Sequence, residues 1–332
     1  MTTTVLICLD SPHEFWRFGQ RHAERLRAAF PGVVFLAVKG RDAPRHLTAA
    51  DAYFGWTFHT DWIKAAPRLR WVATPSAGVD HFPVDELRAA GIGLTRGYGY
   101  HARPVTEHAL GLLLGFSRGL FLSHRLQGRA PWWKDQIAEV FFDLYGQTLT
   151  IVGCGEIGTH LAAAAQLLGM HVIGVRRSPP HDSPSGTGIE WVPSTRTYEA
   201  LARSRVVVDL LPATDETRRF FDAPAFDACR PGTVFLNLGR ASTVDHDALL
   251  AALDSGHLGA AALDVPPVKP PPPDDPLRRH PRVVLTPKSA VFSHRYMDEA
   301  VDFFHDNLQL HLADQPLNGI VIPLPDGDRH VR

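Results

Sequence analysis

Short runs of apolar, β-branched residues alternate along the chain with segments in which apolar residues recur at helical spacing. This alternation is typical of parallel sheets covered by helices, because parallel strands need a long crossover connection. We predict strands at Val5–Leu9, Val33–Val38, Ala52–Trp56, Trp71–Thr74, Gly93–Thr95, from Thr148, and at Val172–Val175, Val206–Leu210, Thr233–Leu238, Ala260–Leu263 and Val283–Leu285.

Three long segments have the apolar spacing of helices, namely Phe15–Phe30, Pro104–Arg118 and Ser293–Leu312. One further segment, Val265–Pro276, has seven prolines in twelve residues and separates two predicted strands. It could be an interdomain linker or a polyproline ligand, but its position favours a stiff surface loop inside one domain. The fold class that follows is α/β.

Length and charge narrow the class of protein. The chain has 332 residues, which exceeds what one compact core usually holds, so two domains are expected. Its 34 basic and 35 acidic residues leave no basic field for nucleic acid or anionic membrane. The longest apolar run, Ala109 to Phe116, is too short to span a bilayer, and the N-terminus has no basic leader. Cys8, Cys154 and Cys229 form no disulfide or zinc pattern, so we expect a cytoplasmic protein.

The strongest motif is a glycine pattern that follows the predicted strand at Thr148 and opens an alanine-rich helix. Gly153 permits a tight turn, Gly155 lets the backbone approach a pyrophosphate, and Gly158 lets helix pack on strand. The N–H groups at the start of that helix, including those of Glu156 and Ile157, would face the phosphates. The pattern predicts a dinucleotide-binding domain.

The residues after the second strand of this domain distinguish the two nicotinamide cofactors. An NAD site usually has a carboxylate there, which accepts the ribose 2′-hydroxyl. This chain has Arg176, Arg177 and Ser178 instead, and two guanidinium groups and a hydroxyl suit a 2′-phosphate. NADP(H) is therefore favoured over NAD(H), although these arginines could also stack on adenine or lie in solvent.

Several further motifs occur in a fixed order, and together with the glycine pattern they resemble the D-isomer-specific 2-hydroxyacid dehydrogenases, which include glyoxylate/hydroxypyruvate reductases. They are Leu69–Asp80, His101–His108, Leu211–Thr214 with Thr217, Pro231–Arg240 and Gly259–Val265. The resemblance covers nearly the whole chain. It implies two Rossmann-like, doubly wound domains with the active site in the cleft between them. Residues 1–100 and 293–332 would form a flavodoxin-like substrate domain, and residues 101–292 the NAD(P)-binding domain of a homodimer.

The resemblance also implies roles for individual residues. Arg240 would anchor the substrate carboxylate, helped by the backbone N–H groups of Ser76, Ala77, Gly78 and Val79. Asp264 would accept a hydrogen bond from the nicotinamide carboxamide. The later motifs would contribute Leu211, Pro212, Thr217 and Leu238 to the cofactor site.

Two catalytic positions depart from the family pattern. The family has a histidine acid/base after a Thr-Pro pair, where this chain has Lys288. The supporting glutamate, five residues beyond the aspartate that Asp264 matches, is replaced by Lys269. The chain has only five lysines, which argues against chance placement of both.

Three interpretations of the lysines compete. Lys288 could replace the histidine as proton donor, with its pKa depressed by Lys269 and Arg240. Alternatively, the three cations could hold a substrate with an additional anionic group. The chain could also be a catalytically impaired dinucleotide-binding sensor or regulator.

Other side chains offer weaker candidates. His294 and His101 could transfer protons but are better interpreted as ordinary surface or helix-start histidines, and His108 as structural. Trp132 and Trp133 suit either the substrate entrance or a dimer contact. No group of residues has metal-ligand spacing, so we predict no metal.

Overall fold

A computed structural model describes residues 2–179 and 188–324. The chain divides into two compact units. Unit 1 comprises Met1–His101 and Phe292–Arg332, and unit 2 comprises Ala102–Val291. Each junction lies within one residue of the domain boundary expected from the sequence.

The strands of the described chain, in sequence order, are β1 (Thr3–Cys8), β2 (Val33–Ala37), β3 (Ala52–Gly55), β4 (Trp71–Thr74), β5 (Gly93–Arg96), β6 (Thr148–Val152), β7 (His171–Arg176), β8 (Ile189–Pro193), β9 (Val206–Asp209), β10 (Thr233–Asn237), β11 (Leu258–Leu263), β12 (Val283–Leu285) and β13 (Ile320–Ile322). The α-helices are α1 (Gln20–Ala29), α2 (Thr60–Ala65), α3 (Val84–Ala89), α4 (Ala102–Ser117), α5 (Leu120–Leu126), α6 (Lys134–Val140), α7 (Glu156–Leu167), α8 (Thr197–Ala202), α9 (Ala223–Asp227), α10 (His246–Asp254), α11 (Pro276–Arg279) and α12 (Tyr296–Leu312).

Unit 1 is built on a six-stranded sheet in the order β13-β5-β4-β3-β1-β2. All neighbouring strands pair in parallel except β13, which pairs antiparallel with β5. Helix α12 covers one face of the sheet, because the Phe304 ring stacks on Phe54 and on Trp71 with centroids 4.2 and 5.2 Å apart. The opposite face packs on Leu47, Phe58 and Leu87.

Unit 2 contains a seven-stranded, fully parallel sheet in the order β12-β11-β10-β9-β6-β7-β8. Strand order reverses at β6, with β7 on one side and β9 on the other, as in dinucleotide-binding folds. One face of the sheet packs on α4 and α7 through buried residues such as Leu113 and Leu161, and the other on residues such as Leu201, Phe226 and Leu253.

Most predicted strands are present with shifts of one or two residues. Two observed strands were not predicted, β8 and the three-residue β13, because each is a short edge strand with few buried positions. The helix expected over Phe15–Phe30 begins only at Gln20, since Gly19 is extended at its N-cap and donates its N–H to His22 Nδ1 at 2.9 Å.

The proline-rich segment connects β11 to α11, and β11 pairs directly with β12, so the segment lies inside unit 2. Arg278 and Arg279 donate hydrogen bonds to the carbonyls of Pro271 and Pro273 at 2.9 and 3.0 Å. These contacts hold the segment against α11 as a surface loop. Over the described ranges, no helix is both long and apolar enough to cross a membrane.

Candidate active site

The glycine loop of unit 2 has the geometry that a bound dinucleotide requires. Gly153 has φ +83°, and a Cβ there would lie 2.8 Å from the Leu210 carbonyl carbon. A Cβ on Gly158 would lie 3.0 Å from Ile151, which it meets where α7 crosses β6. Gly155 caps α7, and a Cβ there would meet nothing closer than 4.0 Å, so the backbone is open to a ligand. The first-turn N–H groups of Glu156, Ile157 and Gly158 belong to this helix start, which suits phosphate.

The cofactor-selecting residues lie at the end of β7, which extends through Arg176. Arg176, Arg177 and Ser178 are all exposed. The Arg176 guanidinium lies 5.9 Å from the centroid of the Trp191 ring, and Arg177 donates a hydrogen bond to Glu216 Oε2 at 3.2 Å. Two cations thus stand at the position where a carboxylate partner of the ribose would be, and one of them, Arg177, is paired with Glu216.

The loop after β9 lies beside the glycine loop and is held by its own side chains. Leu211 donates its N–H to Asp209 Oδ1 at 2.8 Å, and the Thr217 hydroxyl donates to the Pro212 carbonyl at 2.6 Å. The next strand ends beside it, because a Cβ on Gly239 would lie 2.7 Å from the Leu211 carbonyl oxygen. Leu238, which is buried, donates its N–H to the Asp209 carbonyl at 3.0 Å. These contacts assemble one continuous edge of the sheet.

Arg240 follows directly and is half-buried. Its main-chain carbonyl accepts hydrogen bonds from the Asn237 side-chain amide at 2.9 Å and from the Thr243 hydroxyl at 2.6 Å. Its guanidinium Nη1 donates to the Gly239 carbonyl at 2.9 Å. The main-chain carbonyl of Arg240 is therefore held by two donors.

Asp209 is a functional candidate that sequence reasoning missed. It is fully buried, and its Oδ2 lies within hydrogen-bond distance of the Thr243 hydroxyl, at 2.5 Å. Burial raises the pKa of its carboxyl from 3.8 to about 7, although Thr243, the Leu211 N–H and the charge of Arg240 act in the opposite direction. The sequence signal was a single carboxylate in an otherwise apolar strand, β9. Asp209 thus links the Leu211 loop to the turn that carries Arg240.

Asp264 organises the loop that carries Lys288. Its Oδ1 accepts hydrogen bonds from the Thr286 hydroxyl at 2.6 Å and the Ser289 N–H at 2.8 Å, and its Oδ2 accepts the Ala290 N–H at 3.1 Å. Lys288, at the turn, has φ +56° and is exposed. The expected role of Asp264 as carboxamide acceptor stays a prediction, but both its oxygens already bind this loop.

His108, on α4, extends the same network. Its Nε2 lies 3.1 Å from the Thr286 hydroxyl and 3.7 Å from Asp264 Oδ1. Burial lowers the pKa of the imidazole, and the nearby charge of Asp264 opposes that shift. His108 was expected to be structural, and the structure places it behind the Lys288 loop.

Lys269 lies in the proline-rich loop and is exposed. Within the described ranges its ammonium makes no hydrogen bond or ion pair. Its predicted electrostatic effect on Lys288 therefore has no contact to support it and stays a prediction.

The expected carboxylate loop of unit 1, Ser76–Val79, follows β4 and is partly exposed. The Ser76 N–H donates to the Thr74 hydroxyl at 3.2 Å, so it is already used. Among the described residues, the N–H groups of Ala77, Gly78 and Val79 find no acceptor. The Ala77 carbonyl accepts a hydrogen bond from the Arg96 guanidinium at 2.8 Å. Three of the four expected donors can thus serve a ligand.

The carbonyl of Pro75, just before this loop, accepts hydrogen bonds from three side chains. The Tyr100 hydroxyl lies 2.6 Å away, the Tyr296 hydroxyl 2.9 Å and His101 Nε2 3.1 Å. Burial lowers the pKa of His101 to about 4 despite the hydrogen bond to Pro75. His101 is therefore a neutral, structural donor at neutral pH rather than a proton-transfer group.

The remaining candidate residues, His294, Trp132 and Trp133, differ in exposure and contacts. His294 is exposed, with its ring 6.4 Å from that of Phe15. Trp132 is 73% exposed, whereas Trp133 donates its indole N–H to the Ser123 hydroxyl at 2.7 Å. Across residues 2–179 and 188–324, no group of three or more His, Cys, Asp or Glu could hold a metal ion.

Comparison with known proteins shows which sequence family the chain resembles. The sequence family "D-isomer specific 2-hydroxyacid dehydrogenase, NAD binding domain" matches residues 110–290. A glyoxylate reductase of Korarchaeum cryptofilum is 32% identical over 249 residues, covering 74% of each chain.

Two solved structures share the whole architecture. One is an NADPH-dependent glyoxylate/hydroxypyruvate reductase of Sinorhizobium meliloti, in complex with NADP and sulfate, with 25% identity and a TM-score of 0.80 over 96% of this chain and 98% of that one. The other is a D-isomer specific 2-hydroxyacid dehydrogenase of Xanthobacter autotrophicus Py2, in complex with NADPH and MES, with 25% identity and a TM-score of 0.81 over 97% and 99%. These matches confirm the predicted fold class, which is α/β with two Rossmann-like domains.

The matched segment contains the glycine loop, Arg240, Asp264 and Lys288, and it covers more than half of the chain. The protein belongs to the D-isomer specific 2-hydroxyacid dehydrogenases, a family of NAD(P)-dependent oxidoreductases.

Proposed function

We propose that this protein reduces a 2-oxo acid, or oxidises the corresponding 2-hydroxy acid, with Lys288 in the place of the usual histidine acid/base. The observation that carries the proposal is the hydrogen-bonded loop in which Asp264 holds the turn at Lys288. A buried carboxylate that binds three donors of one turn fixes the backbone from which the Lys288 side chain extends. Such fixed placement is what acid/base catalysis requires.

Arg240 and Lys288 have different roles in the proposed reaction. Arg240 binds the substrate carboxylate, because its planar guanidinium matches two carboxylate oxygens and its backbone is fixed by Asn237 and Thr243. The ammonium of Lys288 donates a proton to the carbonyl oxygen during reduction and accepts it back in the reverse direction. The bound nicotinamide cofactor supplies or accepts the hydride. In unit 1, the N–H groups of Ala77, Gly78 and Val79 are donors of the kind that a substrate carboxylate accepts from.

NADP(H) is the proposed cofactor. The exposed guanidinium groups of Arg176 and Arg177, with the hydroxyl of Ser178, supply the positive charge and donor that a 2′-phosphate needs. No carboxylate of the kind that binds a ribose 2′-hydroxyl stands at these three positions.

A homodimer in the cytoplasm completes the proposal. Between the start of α5 and the start of β6, five large apolar side chains are exposed, namely Leu120, Trp132, Val140, Phe141 and Tyr145. A second copy of the chain is the proposed occupant of this surface. The three cysteines are buried free thiols, which suits a reducing compartment.

The second candidate is a substrate with an additional anionic group, favoured by the exposure of both Lys269 and Lys288. A third outcome is a cofactor-binding sensor without turnover. Both are separated from the main proposal by the experiment below.

The deciding experiment follows oxidation of NADPH and of NADH with glyoxylate, pyruvate, hydroxypyruvate, oxaloacetate and phosphonopyruvate, beside a binding titration with each cofactor. Turnover with a mono-carboxylate supports the main proposal. Turnover confined to oxaloacetate or phosphonopyruvate would support the second candidate, and tight cofactor binding without any turnover would support the sensor.

A further inference from the structure

The sheet of unit 1 has a topological switch point between β1 and β3. Strand β2 lies on one side of β1, whereas β3, β4 and β5 lie on the other. In open α/β sheets, ligands bind in the crevice outside the carboxyl ends of the strands where the order reverses. Here those ends are Cys8 and Gly55, and the chain that follows each of them forms the rim of that crevice.

Aromatic rings converge on this rim from three separate segments. They form a cluster that we call the aromatic platform, made of Phe15, Trp16, Trp56, Phe292 and Tyr296. Trp16 and Trp56, which follow β1 and β3, have centroids 6.1 Å apart. The Phe292 ring lies 5.0 Å from both Phe15 and Trp16, and Tyr296 lies 6.0 Å from Trp56.

The platform is open to solvent at one end and anchored at the other. Phe292 is 42% exposed, and Phe15, Trp16 and Trp56 are partly exposed, whereas Tyr296 is buried. A group of rings left partly in water keeps apolar area that a ligand could still bury. The tilted and edge-on ring angles, 52° between Phe15 and Phe292 and 89° between Trp16 and Phe292, can receive a further ring in a favourable geometry.

The platform is continuous with the Ser76–Val79 loop. The Tyr296 hydroxyl donates to the Pro75 carbonyl at 2.9 Å, and the Tyr296 ring is itself part of the platform. The Ala77–Val79 N–H groups and the platform therefore belong to the same unit, and Tyr296 connects the loop to the rings. A compact acid such as glyoxylate has no side chain that could contact the platform.

We propose that the aromatic platform binds the side chain of the substrate, and that the substrate class is a 2-oxo or 2-hydroxy acid with an aromatic group on its third carbon. This inference rests on the proposed function, since it assigns a side chain to the acid whose carboxylate the protein holds. Burial of the substrate ring against Phe15 and Phe292 supplies the selectivity over small aliphatic acids.

The test compares kcat/KM for phenylpyruvate and for pyruvate, in the unaltered protein and in Phe292→Ala and Phe15→Ala. The unaltered protein should prefer phenylpyruvate by about tenfold or more, because its ring buries apolar area against the platform that pyruvate cannot bury. Each substitution should lower kcat/KM for phenylpyruvate about tenfold and leave pyruvate almost unchanged. Tyr198→Ala is the matched control, because Tyr198 is 47% exposed and lies in unit 2.

A preference for pyruvate or glyoxylate, or an equal loss with both acids in Phe292→Ala, would overturn the inference while leaving the proposed function intact. If no 2-oxo acid is turned over, the proposed function fails and the platform is tested by calorimetric titration with phenylpyruvate and with pyruvate. Tighter binding of phenylpyruvate that is lost in Phe292→Ala then supports the platform, and equal or absent binding overturns it.

Discussion

The main-chain N–H of Lys288 donates a hydrogen bond to the main-chain carbonyl of Asp264 at 2.9 Å. The side chain of the same aspartate binds Thr286, Ser289 and Ala290, so one residue at the end of β11 holds the turn around Lys288 through its backbone and its carboxylate. A lysine at φ +56° is strained, and these hydrogen bonds offset that strain. Asp264 is thus a positioning residue for Lys288 in addition to its predicted contact with the cofactor.

Replacing Asp264 by Asn tests this positioning role. The amide keeps one acceptor oxygen but presents an NH₂ group to the other donor, so we expect a loss of about 1–3 kcal/mol in the free energy of unfolding. We expect kcat to fall as well. In the double variant with Lys288→Ala, kcat should fall little further than in Lys288→Ala alone, since Asp264→Asn acts on kcat by displacing the ammonium that Lys288→Ala removes. Additive losses in kcat would contradict the coupling.

Replacing Lys288 by Ala tests its role as acid/base. We expect kcat to fall roughly 10²-fold or more, while the Kd for the cofactor stays almost unchanged, because the ammonium acts on the substrate oxygen. Lys64→Ala is a matched control, since Lys64 is exposed on α2 in the other unit. An unchanged kcat in Lys288→Ala would remove Lys288 from the mechanism. The pair Lys269→Glu with Lys288→His should permit reduction of glyoxylate or hydroxypyruvate if the remaining scaffold is competent.

Replacing Arg176 by Asp tests the cofactor assignment. The carboxylate would repel a 2′-phosphate and accept the ribose 2′-hydroxyl, so the ratio of kcat/KM for NADPH to that for NADH should fall by about tenfold or more. Arg230→Asp, an exposed change of the same charge in unit 2, should leave the ratio as it is. Selectivity that does not move in Arg176→Asp would eliminate the 2′-phosphate interpretation.

Replacing Asp209 by Asn tests the buried carboxyl between the Leu211 loop and the Arg240 turn. The folded-state pKa of Asp209 is raised to about 7, so between pH 4 and pH 7 the folded state binds more protons than the unfolded state. Its contribution to the stability of the unaltered protein therefore decreases as pH rises through this range and is constant above it. Asp209→Asn lacks this titration, so its stability relative to the unaltered protein should rise by a few kcal/mol from pH 4 to pH 8.

The measurement is the free energy of unfolding in urea across that range for both proteins. Curves that stay parallel from pH 4 to pH 8 would show that Asp209 does not titrate as its burial implies. Asp247→Asn is a suitable control, because Asp247 stands in the first turn of α10 outside this network.

The sequence alone determined the fold class and the family. The alternation of β-branched runs with helical spacing favours parallel sheets, and the spacing of Gly153, Gly155 and Gly158 between a strand and a helix favours a dinucleotide-binding turn. The order of the later motifs then placed Arg240, Asp264 and Lys288 on the chain. Each of these patterns involves residues close together in the sequence, so it can be recognised without the structure.

Only the tertiary structure decided what the side chains contact. Asp209 and Thr243 are far apart in sequence, as are Pro75 and Tyr296, and no periodicity relates them. The aromatic platform likewise gathers residues from near both ends of the chain, because strand order brings the carboxyl ends of β1 and β3 together beside the start of α12. Long-range packing sets which polar groups are satisfied and which rings remain exposed, and a single sequence does not contain those distances.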